Sequence, residues 1–200
     1  QNVAKFYILQ IRPIVDSKEV VSDDLVNIDR ERVLLHSFRA LGNGVTNDVR
    51  DVVYVKTANF MAANNPKIAS EIEYINNEFR KDDSNYILIG PGRWGSSDQW
   101  LGVPVKWAHI CQARVIVELA LEGYQIEPSQ GTHFFQNLTS FGVGYFTVNP
   151  FSDERDFFDE EYLNGLPAVY ESDLVRHVRL DDVAVIKING KKRVGVVLKP

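Results

Sequence analysis

The feature that most limits how this chain can fold is a set of short apolar runs, each closed by turn residues. Val52-Val53-Tyr54-Val55, Tyr86-Ile87-Leu88-Ile89 and Ala113-Arg114-Val115-Ile116-Val117-Glu118 are too short for helices and rich in β-branched and aromatic side chains. They read as strands, the second and third of them buried. Phe146-Thr147-Val148 adds another strand. Val183 to Ile188 and Val194 to Leu198 flank Asn189-Gly190 and read as a hairpin, with Lys191-Lys192-Arg193 at its tip. Gly42-Asn43-Gly44 marks a turn. Ile68, Ile72, Ile75 and Phe79 recur at helical spacing, so residues 60–80 read as a helix. Residues 133–141 read as a second helix, closed by Gly142. Residues 150–165 are acidic and aromatic and read as a loop or insertion. Strands mixed with helices predict an α/β or α+β fold.

With 44% hydrophobic and 24% charged residues, 200 residues suffice for one domain or a domain plus an appendage. A net charge of −5 argues against nucleic acid as a partner, because phosphate backbones require clustered Lys and Arg. The single cysteine, Cys111, excludes an intrachain disulfide framework and a cysteine-rich zinc site, and reads as a buried small residue. No apolar run approaches the ~20 residues a membrane span needs, and no signal peptide opens the chain. The expectation is a cytoplasmic protein with no membrane partner. The chain opens on Gln1, inside a strand-like run, and so reads as a piece of a longer protein.

Thr132-His133 stands at the start of the second predicted helix. Phe134, Phe135, Leu138 and Phe141 form one apolar stripe along it. Gly131 and Thr132 supply turn and cap chemistry. His133 then falls in the first helical turn, away from the stripe, where N–H groups and the helix dipole favour an anion. A neutral imidazole there can accept a phosphoryl group. The plainer reading is a histidine that caps or packs.

The segment Gly131-Thr132-His133-Phe-Phe-Gln-Asn-Leu-Thr-Ser-Phe141-Gly142-Val143-Gly144 resembles the phosphohistidine motif of the phosphoenolpyruvate synthase and pyruvate phosphate dikinase family. In that family a glycine turn and Thr-Ser/Cys-His open a helix that closes nine residues later at a glycine, the place of Gly142 here. Leu41 to Gly44, the two strands before the histidine and the final hairpin follow the family's order. The double glycine is Gln130-Gly131 here, one residue between Thr and His is missing, and Phe134 and Phe135 replace small residues. The resemblance implies a swivelling β/β/α phosphohistidine-like domain over 31–200, preceded by a linker over 15–30. It implies His133 as phosphoryl carrier, with Gly131, Thr132 and the local N–H groups as its anion support.

Phe6-Tyr7-Ile8-Leu9-Gln10-Ile11-Arg12-Pro13 resembles the last strand of the same family's ATP-grasp domain, so residues 1–14 would be that domain's tail. Gln10 would help hold the metal–nucleotide and Arg12 would contact phosphate. The resemblance implies ATP and Mg²⁺ in the full-length protein, none bound by this stretch alone, with Gln10 the one candidate metal contact. It implies pyruvate or a similar phosphoryl acceptor, the missing ATP-grasp domain as partner, and no complete activity for these 200 residues alone. The alternative is a degenerate, non-catalytic swivel domain that docks or regulates.

Gly90-Pro91-Gly92-Arg93-Trp94-Gly95 matches G-x-G-x-x-G after a strand, with Glu118 at the end of the next strand. A dinucleotide site needs a long helix at the third glycine, and Gly102 and Pro104 interrupt that stretch. Two other readings remain. Arg93 and Ser96, with Ser97 and backbone N–H groups, can bind a phosphate or carboxylate. Alternatively the loop is a structural turn in which Trp94 and Trp100 cover the core and Asp98 caps a short helix. His36 and His109 read as structural. His177, between Arg176 and Arg179, reads as part of a solvated strand face or an anion patch. The acidic group from Asp153 to Glu161 lacks calcium-loop spacing and reads as an exposed loop.

Overall fold

The structure is a computed structural model and describes residues 21, 24–58, 60–124, 127, 138, 141–152 and 156–200. Twelve strands are present among them: β1 (Val33–Ser37), β2 (Arg39–Leu41), β3 (Gly44–Val55), β4 (Tyr86–Pro91), β5 (Arg93–Trp94), β6 (Gly102–Val103), β7 (Ala113–Leu119), β8 (Gly144–Val148), β9 (Phe157–Phe158), β10 (Ala168–Glu171), β11 (Val175–Asn189) and β12 (Val194–Leu198). Helix α1 (Asn65–Lys81) and the single turn α2 (Glu160–Asn164) accompany them. The protein is therefore a mixed α/β fold dominated by one large sheet.

The apolar runs form its centre. β3, β4, β7 and β8 are adjacent and parallel, and β11 joins the far side of β3 antiparallel. β4, β7, β8 and the last residues of β3 are buried on both faces, which is why those sequences are continuous rather than alternating. Val52, Tyr54, Ile87, Ile89, Val115 and Val117 point into one core. Val53, Val55, Tyr86, Leu88 and Ile116 point into the other, beneath α1.

β2 ends the nine-strand run and β1 stands at its other side with only the two-residue β9 beyond it, yet only Phe38 separates β1 from β2. The sheet must therefore curl until its ends meet. The Ala40 N–H donates to the Arg193 carbonyl at 2.9 Å. A Cβ on Gly195 would lie 2.5 Å from the Phe146 ring and 2.8 Å from the Ala40 Cβ. The first core is the interior of this curl. On the outside lies α1, which buries Ile68, Ile72, Ile75 and Phe79 as the spacing predicts. Pro66 opens it, and Arg80 and Lys81 sit in its last turn, where cations complement the dipole.

Several expectations change. β11 is far longer than the hairpin arm read from sequence, and the turn spans four residues, with Arg193 at φ 58°. The acidic run after residue 150 is not simply an exposed loop. Asp156 is buried and accepts the N–H groups of Phe38 at 2.9 Å and Asn149 at 2.8 Å, while Asp159 caps α2 through the Tyr162 N–H. His177 is not on a solvated face, because the end of α1 covers it and Phe79 lies 5.1 Å from its ring. Cys111 is only half-buried, and its sulfur accepts from Asn76 Nδ2 at 3.6 Å. Within the run read as a linker, Val21 and Leu25 are buried against Val194 and Val196.

His36 sits in β1 with Nε2 buried and unpartnered among the described residues. Burial pulls its pKa below the ordinary value, against the effect of a hydrogen bond to the Leu25 backbone. A lowered folded-state pKa means stability that is present above the unfolded value and lost as pH falls through the folded one. The stability of His36→Gln, followed by urea unfolding from pH 7.5 to 5, should decline less on acidification than that of the parent. Parallel curves would contradict this. Gly195→Val should cost ~1–3 kcal/mol in the same assay, because its side chain enters the closed seam. An unchanged midpoint would contradict the closure.

Candidate functional site at the ends of the parallel strands

Four parallel strands send their following loops to one edge, after Val55, Pro91, Leu119 and Val148. In open α/β sheets this is the edge where ligands bind. The loop that leaves β4 shapes it here. Gly90 is required by close approach, since a Cβ there would lie 2.5 Å from the Trp94 ring. At Gly92, φ is +70° and a Cβ would lie 2.8 Å from the Tyr124 ring.

The chain doubles back after Gly92, and Trp94 drops into the core under α1. Its ring N–H donates to the Val117 carbonyl at 2.9 Å, and its backbone N–H donates to Glu118 Oε1 at 3.1 Å. The Tyr145 hydroxyl donates to Glu118 Oε2 at 2.6 Å. Glu118 is 4% exposed, and these donors offset the cost of burying its carboxylate. It lies on the same face as Ile116, so the alternation of β7 aims it at the loop.

The remaining N–H groups of the turn are also used within the protein. Gly92 donates to Leu119, Arg93 to Leu101 and Gly95 to Val103, at 3.1, 3.1 and 2.9 Å. No helix follows Gly95, as a dinucleotide fingerprint requires. β5 instead pairs in parallel with β6. Of the two tryptophans expected to cover the core, Trp94 does so, but Trp100 is 57% exposed. Asp98 caps a turn rather than a helix, accepting the Trp100 N–H at 2.9 Å.

The two described candidates for anion binding lie on this loop but do not converge. Arg93 Nε donates to the Glu127 carbonyl at 2.6 Å. The Ser96 hydroxyl donates to the Asp98 carbonyl at 2.7 Å. Gly131, Thr132, His133, Gln10 and Arg12 lie outside the described residues. Leu138, from the stripe predicted beside His133, is fully buried in the core beneath α1.

Asn65 and Tyr124 belong to the same edge and were not singled out from sequence. Asn65, at the start of α1, donates from Nδ2 to the Gln99 carbonyl at 2.7 Å, while its Oδ1 is buried without a partner among the described residues. The Tyr124 hydroxyl is also buried; burial pushes its pKa up against the lowering effect of the Asn65 side chain beside it, and its ring packs on Phe60 at 5.1 Å. Neither carries a sequence signal of its own, since an asparagine before a proline and a loop tyrosine are common. Glu118 did carry one, as a lone carboxylate closing an apolar run. Around Gly92 the edge thus offers one guanidinium and two neutral polar groups. No group of three or more metal-ligating side chains exists among the described residues. No helix there is long and apolar enough to cross a membrane.

No protein-family profile, curated protein or solved structure matches the chain at a significant level.

Glu118→Gln keeps the shape but replaces one carboxylate oxygen with a donor, so either Trp94 N–H or Tyr145 O–H loses its acceptor. Its unfolding free energy should fall by ~1–3 kcal/mol. A urea midpoint equal to the parent's would contradict the buttressing role of this carboxylate.

Proposed function

We propose that the chain is part of a phosphoenolpyruvate synthase-like phosphotransferase, in a swivelling β/β/α phosphohistidine-like domain. In this reading, ATP with Mg²⁺ phosphorylates His133, and the domain carries the group toward pyruvate or a similar acceptor. Gly131 and Thr132 support the phosphoryl anion. Gln10 and Arg12 belong to the nucleotide site of the ATP-grasp domain. The neutral imidazole attacks a phosphorus of ATP, the N–P bond forms as the P–O bond to the nucleotide leaving group breaks, and the N–P bond later breaks when the acceptor oxygen attacks.

The supporting observation is the bond from Arg93 to the Glu127 carbonyl. It ties the one cationic side chain of the glycine loop to the backbone that leads, four residues on, into the Gly131-Thr132-His133 motif. The motif falls in the connection from β7 to β8, which begins at the strand-end edge where α/β sheets bind ligands. The burial of Leu138 agrees with the apolar stripe expected along the helix that His133 would open.

The competing reading is a non-catalytic swivel domain that docks or regulates. One observation favours it. The N–H groups of residues 92–95 all bond within the protein, so this turn does not offer them to a phosphate.

The full-length protein, incubated with Mg²⁺ and ATP labelled at both the β- and γ-phosphates, should acquire acid-labile, base-stable label. His133→Ala should abolish it. Absence of label in the parent, or its persistence in His133→Ala, would overturn the carrier role and leave the docking reading.

A further inference from the structure

A second polar constellation lies on the α1 face, away from the strand-end edge. Asp51 pairs in register with Tyr86, the first residue of β4, so it sits at the opposite end of the parallel strands from Gly92. β11 runs beside β3 and sends Val175, His177 and Arg179 to this same face. Asp51 Oδ1 lies 2.7 Å from His177 Nε2 and accepts from Arg179 Nε at 2.9 Å. Asp51 and His177 are 4% and 6% exposed. Burial works against the Asp51 charge, but the bonds from His177 and Arg179 prevail and hold its carboxyl below the usual range.

This triad borders a groove of about 240 Å³ between α1 and β10. The volume is below the roughly 300 Å³ at which sites for drug-sized ligands begin, so the fitting ligand is small. Asp51 engages one nitrogen of His177 and one of Arg179. His177 Nδ1 and the two terminal nitrogens of Arg179 bond to none of the described residues, and Arg179's side chain is 54% exposed. A guanidinium held in this way presents a fork that matches a carboxylate. Tyr74 and Tyr170 form an aromatic wall, their centroids 6.0 Å apart, with Tyr74 56% exposed. Asp82 and Glu78, at the end of α1, supply negative charge on the same groove, Glu78 being shared with Lys81 at 2.7 Å. A guanidinium, an aromatic wall and carboxylates thus line one small volume.

We propose that this groove binds a small zwitterion of amino-acid size, its carboxylate on Arg179, its ammonium toward Asp82 and Glu78, and its side chain on Tyr74 and Tyr170. The site is distinct from the strand-end edge and does not depend on phosphoryl transfer.

Calorimetric titration of the 200-residue chain with L-phenylalanine tests it, alongside N-acetyl-L-phenylalanine, which lacks the ammonium, and phenethylamine, which lacks the carboxylate. L-phenylalanine should bind, and each analogue should bind about tenfold or more weakly, because each loses a charge-assisted contact. Arg179→Gln should weaken L-phenylalanine by a similar factor. Tyr74→Ala leaves the ion triad intact, so it should weaken binding while leaving the melting temperature within a degree or two. No heat with L-phenylalanine, equal affinity for either analogue, or unchanged affinity in a folded Tyr74→Ala would each overturn the proposal.

Discussion

The carboxylate of Glu118 decides where the chain can go when it leaves β4. Buried under the sheet's α1 face, it requires donors, and it obtains them from the loop through Trp94 and from β8 through Tyr145. That requirement pulls the glycine turn back onto the sheet and seats the Trp94 ring in the core. It also stacks β5 and β6 above the strand ends. Gly90 and Gly92 make the reversal sterically possible. The rest of the edge, with Arg93 reaching Glu127 and Tyr124 lying against Gly92, follows from that fold-back.

A second constraint sets the frame that Glu118 works within. The step from β1 to β2 across Phe38 brings the two ends of the sheet together and encloses one core, while α1 covers the other. The two proposed ligand sites are thereby kept apart. One is the strand-end edge, with Arg93 bonded to Glu127. The other is the groove at the far end, where Asp51 organises His177 and Arg179.

Much of this frame is legible in the sequence, for a physical reason. Strands buried on both faces must be continuously apolar, so Val52–Val55, Tyr86–Ile89 and Val115–Val117 stand out. The stripe from Ile68 to Phe79 has helical spacing because only one face of α1 meets the sheet. The first half of β3 is not legible, since Thr46, Asp48 and Arg50 lie outside the core and break the pattern. The closure is not legible either, because strand pairing across 110 or more residues leaves no local trace, as in the bond from Ser37 to Thr147. His177 and Arg179 look solvated because alternation along β11 separates the two faces without saying which is covered. Glu118 was visible as a carboxylate at a strand end, but spacing offered it only as part of a dinucleotide-fingerprint outline and gave no hint of its bond to the loop's own N–H.

Amide hydrogen exchange of residues 92–95 tests the central claim most directly, that this glycine turn is a buttress satisfied from within the protein. The account predicts that these amides exchange as slowly as those of β4 and β7, since each has an internal acceptor. Exchange at the rate of an open surface loop would show that the turn's N–H groups face solvent, and would contradict the account.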